Sequence, residues 1–158
     1  MLKFSLVAMG GTFDIVHKGH LRLLSNAFEI SDKVIIGLTS DELATKKGKS
    51  LINKYEKRYE NLIRIISKEF PNTYFQISKL DNDFGPAVLE KGVEALVVSD
   101  ETRNQGNILN ILRKKKKLQP VKIITIPMSL AKDGAKISTT RIKNSEIDIN
   151  GNLLSVDK

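Results

Sequence analysis

The residues best suited to chemistry lie near the amino terminus, where Gly10-Gly11-Thr12-Phe13-Asp14 is followed closely by His17-Lys18-Gly19-His20. Adjacent glycines let a backbone approach a ligand closely, and Thr12 can donate its hydroxyl proton to an oxygen. His17 and His20 stand in an i, i+3 relation, which on a helix places both imidazoles on one face. A helix that starts there adds free amide groups that favour an anion. Glycine turn, hydroxyl, imidazole pair and helix start together make an environment for a polyphosphate. Taken singly, each has a plainer reading: a Gly-Gly pair is commonly just a turn, and a lone histidine a hydrogen-bonded polar residue. Two histidines could also ligate zinc, but the chain has no cysteine and no glutamate-rich helical site to complete the set, so no metal ligand is assigned. The Gly-x-x-x-x-Gly-Lys-[Ser/Thr] pattern of a P-loop is absent.

The elements that must position these residues can be read from hydrophobic period. Phe4 to Met9 is a short apolar run ending at the glycine pair, whereas Leu21, Leu24, Ala27 and Phe28 recur at helical spacing up to Ile30. Val34 to Leu38 is a second buried strand, followed by turn or cap chemistry at Thr39-Ser40-Asp41. Tyr59, Leu62, Ile63, Ile66 and Phe70 mark a helix from Tyr55 that stops before Pro71, and Tyr74 to Ile77 resumes a strand. A short helix over Ala87 to Lys91 closed by Gly92, a strand over Ala95 to Val98, a helix over Ile108 to Lys117 and a strand over Val121 to Ile126 complete the series. Strands alternating with helices predict one α/β domain over residues 1–145, a doubly wound, Rossmann-like fold with a five-stranded parallel sheet. The polar stretch 146–158 reads as a loose tail. In such sheets ligands bind beyond the carboxyl ends of the strands, so the loops after the first, second, fourth and fifth strands are where chemistry is expected.

Bulk properties narrow the classes. A chain of 158 residues is the size of one domain with one well-packed core. The lack of cysteine removes disulfides and thiolate nucleophiles and suits a reducing, cytoplasmic setting. No apolar run approaches the roughly 20 residues of a membrane span, and no small-residue cleavage pattern follows the first strand, so no membrane association is expected. The net charge of +8 fits either nucleic acid or small anionic substrates. Its densest block, Arg113 to Lys117, reads as a solvated helix end whose cations oppose the negative end of the dipole. Nothing aromatic is interleaved with it to stack bases, so no nucleic-acid partner is assigned.

Gly11-Thr12-Phe13-Asp14 with His17-Lys18-Gly19-His20 resembles the paired GTFD and HxGH motifs of the nucleotidyltransferase superfamily. Lys136-Ile137-Ser138-Thr139-Thr140-Arg141-Ile142 resembles its second motif, Ile-Ser-[Ser/Thr]-[Ser/Thr]; alone it would be only a helix cap. Within the superfamily, Leu38 to Glu42, Tyr55 to Arg58 and Val97 to Thr102 are similar to the archaeal and eukaryotic type of phosphopantetheine adenylyltransferase. That resemblance implies transfer of AMP from ATP to 4′-phosphopantetheine, with ATP held by Gly10, Gly11, Thr12, Phe13, Asp14, His17, His20, Ser99, Asp100, Glu101, Ser138, Thr139 and Thr140. It implies His20 as a catalytic donor to the α-phosphate. For the acceptor it implies Thr12 and a phosphate-binding lysine in the loop after the second strand, where spacing from Ser40 favours the catalytic Lys47 over Lys46. The bacterial enzymes' Arg-Gly-Leu-Arg stretch is lacking, which leaves Arg103 as the candidate in its place. Magnesium is expected to arrive with ATP.

Ile137-Ser138-Thr139-Thr140 is also close to cytidylyltransferases acting on glycerol phosphate or a choline-like phosphate, although the Arg-Thr-x-Gly that precedes it there is absent. Archaeal-type flavin adenylyltransferases usually bring cysteines near the carboxyl end, and none is present. A basic nucleic-acid-binding module would show binding that falls steeply with salt.

Overall fold

The central strands are apolar at successive positions because both faces of the sheet are covered there. In β1 (Phe4–Gly11), Val7 and Met9 enter one core while Ala8 enters the other; in β2 (Ser31–Thr39), Val34, Ile36 and Leu38 oppose Ile35 in the same way. The period of two thus feeds two layers at once, as expected of a parallel sheet buried on both sides. The computed structural model describes residues 3–85, 91–100, 102–127 and 129–154. Within them the order continues from α1 (Lys18–Glu29) and β2 to α2 (Asp41–Lys46), α3 (Tyr55–Glu69), β3 (Phe75–Leu80), β4 (Ala95–Ser99), α4 (Arg103–Lys115), β5 (Lys122–Ile126) and α5 (Thr139–Lys143). All pairings within the sheet are parallel and its spatial order is β3-β2-β1-β4-β5. The chain is therefore the α/β, Rossmann-like sheet that the alternation implied.

Leu24 and Ala27 of α1 and Leu62 and Ile66 of α3 pack on one face, and Leu109 of α4 on the other. At Gly106 the α4 backbone comes so near β5 that a Cβ would stand 2.4 Å from Ile123 Cδ1, a contact only glycine allows without displacement. The order reverses between β1 and β4, so a crevice opens at their carboxyl ends, and the loops named from the sequence converge there.

Several boundaries differ from the expectation. The segment after β2 is not all loop: Ser40 caps α2 by accepting a hydrogen bond from Leu43 N at 3.1 Å, and the helix runs to Lys46. The third expected helix, over Ala87 to Lys91, falls mostly outside the described residues. Arg113 is not solvated. Its side chain is fully buried and donates to Gln119 O at 2.8 Å, because the chain after α4 folds back over it, whereas Lys114 to Lys117 are exposed as expected. The stretch after Ser145 is not loose where it is described. Ile147 is fully buried with Ala131 and Ile137, bridges Leu153, and Ile149 O accepts from Lys18 N at the start of α1. One apolar side chain in a polar stretch is enough to dock it.

Candidate active site

A cavity of about 620 Å³ occupies the crevice. Thr12, Phe13, Asp14, His17, His20, Ser99, Ser138, Thr139 and Thr140 all line it, so the structure gathers nine of the residues singled out from the sequence. Gly10 and Gly11 lie at the end of β1 and are not in that lining; Gly10 borders a separate cavity of about 70 Å³ beside Gly37 and Leu80. Asp100 and Arg103 are exposed and likewise outside the main lining, and Glu101 is outside the described residues.

The turn after β1 is built around Phe13, a bulky residue at φ +50 whose backbone strain costs about 1–3 kcal/mol. Its ring folds back over Gly11, where a Cβ would lie 2.9 Å from Phe13 Cε2, and reaches the His20 ring at a centroid distance of 4.9 Å. The strained residue therefore buttresses an imidazole. Asp14 is buried, and its carboxylate accepts from Ile52 N and Asn53 N, both at 2.9 Å, and pairs with Lys143 Nζ at 2.8 Å. These partners hold its carboxyl below the ordinary carboxylate range against the opposing effect of burial. Asp14 thus ties the β1 turn to the 50–53 segment and to α5.

His17 and His20 cap α1 reciprocally. His17 Nδ1 accepts from Gly19 N at 3.0 Å, and His20 Nδ1 accepts from His17 N at 3.2 Å. An imidazole nitrogen that accepts an N–H carries no proton, so these bonds assign both rings the neutral tautomer with the proton on Nε2. Each ring therefore has one donor left, on the edge opposite its cap. The rings stack at 3.9 Å. Burial pushes His17 down to about 4, and burial, then the neighbouring His17 and Lys49 charges, push His20 down to about 3.

The unfolded histidines titrate near 6.5 while the folded ones resist protonation, so their contribution is complete above pH 6.5 and is lost as pH falls toward 4–3. The loss is on the order of a few kcal/mol in total. Thermal melts between pH 7 and pH 4.5 should show the midpoint falling, and a His17→Gln/His20→Gln double variant should flatten the slope. An equally steep slope in the double variant would assign the acid sensitivity elsewhere.

The lysines are arranged differently from the sequence expectation. Lys47 caps the carboxyl end of α2 and pairs with Asp83 at 2.6 Å, outside the main cavity lining. The chain then turns at Gly48, φ +76, and delivers Lys49 into the lining, where its Nζ donates to Thr12 Oγ1 at 3.0 Å. Desolvation, then the Lys47 and Lys143 charges, hold the Lys49 ammonium below its usual value, a group short of counter-charge. Lys143 lines the cavity as well. Sequence reasoning missed Lys49 and Lys143. The only signal for the first was its place in the lysine run, and for the second its position one turn after the Ser138-Thr139-Thr140 motif.

The arrangement offers two imidazole N–H donors, three hydroxyls at the start of α5 and three lysines, Lys49, Lys136 and Lys143, around one space, which suits a polyphosphate meeting a second anion. Among the described residues no group of three or more His, Cys, Asp or Glu could hold a metal ion, and no helix is long and apolar enough to cross a membrane. The cytidylyltransferase-like family model matches residues 8–145. The phosphopantetheine adenylyltransferase of Methanothermobacter thermautotrophicus is 41% identical over 152 residues, 96% of this chain and 91% of that protein. The enzyme of the same name from Methanosarcina acetivorans is 41% identical over 93% of this chain and 94% of its own. Among solved structures, a protein of unknown function from Archaeoglobus fulgidus superposes with a TM-score of 0.70 at 28% identity, covering 84% of this chain and 98% of that one. With Thr12, Phe13 and Asp14 of the first motif and His17, Gly19 and His20 of the second gathered on one cavity, the chain belongs to the cytidylyltransferase-like family and, within it, to the archaeal phosphopantetheine adenylyltransferases.

Proposed function

We propose that the chain transfers the adenylyl group of ATP to 4′-phosphopantetheine, giving dephospho-CoA and pyrophosphate, a step of coenzyme A biosynthesis. The observation that carries this reading is the 41% identity, over nearly the whole chain, to archaeal enzymes of that name. The geometry supplies a mechanism. An oxygen of the acceptor phosphate attacks the α-phosphorus of ATP; the new P–O bond forms as the bond to the bridging oxygen breaks, and pyrophosphate leaves. No covalent enzyme intermediate is needed, so the protein works by aligning two anions and stabilising charge. His20 Nε2–H donates to an α-phosphate oxygen, His17 and the hydroxyls of Ser138, Thr139 and Thr140 hold the rest of the triphosphate, and Lys49 beside Thr12 receives the acceptor phosphate. Magnesium enters as part of the MgATP substrate, since octahedral magnesium takes most of its ligands from phosphates and water. The absence of cysteine supports a reducing, cytoplasmic setting for the reaction. The cytidylyltransferase alternative is not favoured by the relatives.

The experiment offers purified protein ATP or CTP in every combination with 4′-phosphopantetheine, glycerol 3-phosphate and flavin mononucleotide. Dephospho-CoA from ATP is the expected product, and preference for CTP with glycerol 3-phosphate would overturn the reading. In the same assay Lys49→Ala should lower kcat/KM for 4′-phosphopantetheine about ten- to a hundredfold, the scale of a hydrogen bond to a charged group, while leaving ATP affinity largely intact. Lys47→Ala, which breaks only a surface pair, should stay within a fewfold of wild type. The reverse ranking would return the acceptor phosphate to Lys47.

A further inference from the structure

Ser138, Thr139 and Thr140 bring their hydroxyls to the cavity from the start of α5, yet α5 has little of its own to hold it in place. The helix runs only over Thr139–Lys143 and buries none of its residues. Its position is therefore set by what grips it. Lys143 pairs with Asp14 of the β1 turn at 2.8 Å, and the segment after Ser145 packs against the helix. Ile147, fully buried with Ala131 and Ile137, takes Ile142 of α5 onto this small core, and Glu146 N donates to Arg141 O at 2.9 Å.

The same segment grips α1. Ile149 O accepts at 2.8 Å from Lys18 N, the first amide of the helix that carries His20 and is capped by His17. Only Asp148 separates Ile147, which packs with α5, from Ile149, which bonds α1. So short a link passes the position of one helix to the other as long as it does not flex, and Asp148 stiffens it. One carboxylate oxygen of Asp148 accepts from Asn150 N and Asn152 N and the other from Asn152 Nδ2, all at 2.9 Å. Gly151 closes the turn at φ +82, where a Cβ would stand 2.8 Å from Ile137 Cδ1 and 3.0 Å from Ala131 Cα. Lys18, Asp148 and Ile149 lie outside the cavity lining, so these ties bear on the site only through the helices they hold.

We infer that residues 146–152 form a positioning strap, which through Asp148 and the Ile149 carbonyl keeps the histidines of α1 and the hydroxyls of α5 at the spacing that adenylyl transfer requires, an inference that rests on the adenylyltransferase reading above. Both sets of donors meet one triphosphate. A flexible triphosphate can still bind when the two sets loosen, but in-line attack needs them in register, and a misplacement of about 1 Å can cost about a hundredfold in rate. Loss of the strap therefore slows the chemical step more than it weakens ATP binding.

Lys18→Pro isolates the link to α1. It removes the amide proton that Ile149 O accepts, proline suits the first position of a helix, and the preceding His17, at φ −129 and ψ 179, already has the extended backbone that proline requires before it. Single-turnover rates at saturating ATP and 4′-phosphopantetheine, calorimetric ATP titrations and ligand-free melts are compared for wild type, Lys18→Pro, Lys18→Ala, Asp148→Ala and the Lys18→Pro/Asp148→Ala double variant. Lys18→Pro and Asp148→Ala should each react about five- to tenfold more slowly, bind ATP within about twofold of wild type and melt within about 4 °C of it. Lys18→Ala, which keeps the amide, should react as wild type does. Because both changes cut one link, the double variant should be no slower than the slower single variant. A wild-type rate in folded Lys18→Pro or in Asp148→Ala would overturn the inference, as would losses that multiply in the double variant, an equal loss in Lys18→Ala, or a loss confined to ATP affinity. If Lys18→Pro does not fold, Asp148→Ala, which alters the strap alone, decides by the same rate and affinity. Wild type that forms no dephospho-CoA would instead overturn the adenylyltransferase reading, and this inference with it.

Discussion

Arg58→Met should lose about 3–5 kcal/mol of folding stability, a large part of the roughly 5–15 kcal/mol that holds a domain folded. The Arg58 side chain is fully buried on α3. Its Nε donates to Asn53 O at 3.0 Å, its Nη1 to Thr12 O and Thr39 O, both at 2.8 Å, and its Nη2 to Asp41 at 2.8 Å. One guanidinium thus ties the β1 turn, the end of β2, the start of α2 and the segment before α3. Methionine keeps the packing of the stem but leaves three carbonyls unpaired where little water reaches, and each such loss costs about 1–3 kcal/mol. Lysine should not restore the loss, because a point ammonium cannot span the fork. Urea unfolding followed by circular dichroism is the measurement, with Arg64→Met as the control: Arg64 is exposed and, among the described residues, bonds Asn61 of its own helix, so its loss should stay within about 0.5 kcal/mol. Equal midpoints for the two variants would show that the buried fork contributes nothing.

How much of this could be read from the chain differs from element to element. The sheet was legible because Val34-Ile35-Ile36 and Val97-Val98 are apolar on both faces, a pattern that only a doubly covered strand requires. The histidine pair was legible because spacing and a preceding glycine turn are local properties. Helix α2 was not: six residues with only Leu43 and Ala44 buried give no periodic apolar stripe, although the Ser40 cap, the acids Asp41 and Glu42 and the basic Lys46 are a helix start and end in miniature. Missing that turn of helix misplaced the lysine, since α2 and Gly48 together decide which member of the run faces the cavity. Arg58 and Arg113 show a deeper limit. Whether an arginine in a basic stretch is solvated or buried depends on which distant carbonyls fold against it.

His20→Ala should fold and bind ATP within a fewfold of wild type yet turn over on the order of a hundred- to a thousandfold more slowly, about 2.7–4 kcal/mol in the barrier. The size of the effect follows from how the donor is prepared. Backbone amides hold both imidazoles by their Nδ1 atoms, Phe13 buttresses the His20 ring and His17 stacks on it, so the Nε2–H of His20 is oriented before substrate arrives. A fixed donor loses little freedom when charge builds on the α-phosphate, and its value is greatest in the transition state, which is why kcat rather than affinity should carry the loss. The same geometry sets a second condition. Because the donor is a neutral ring held down to about 3 without ligand, it needs no proton uptake to function near neutrality, and kcat/KM should show no inflection from His20 between pH 6.5 and 8. His20→Gln, whose amide can also donate, should recover part of the turnover that alanine loses. Single-turnover measurement of the three proteins at saturating ATP decides it: ordinary chemistry in a well-folded His20→Ala, or a loss confined to ATP binding, would remove His20 from the reacting atoms and leave it as the cap of α1.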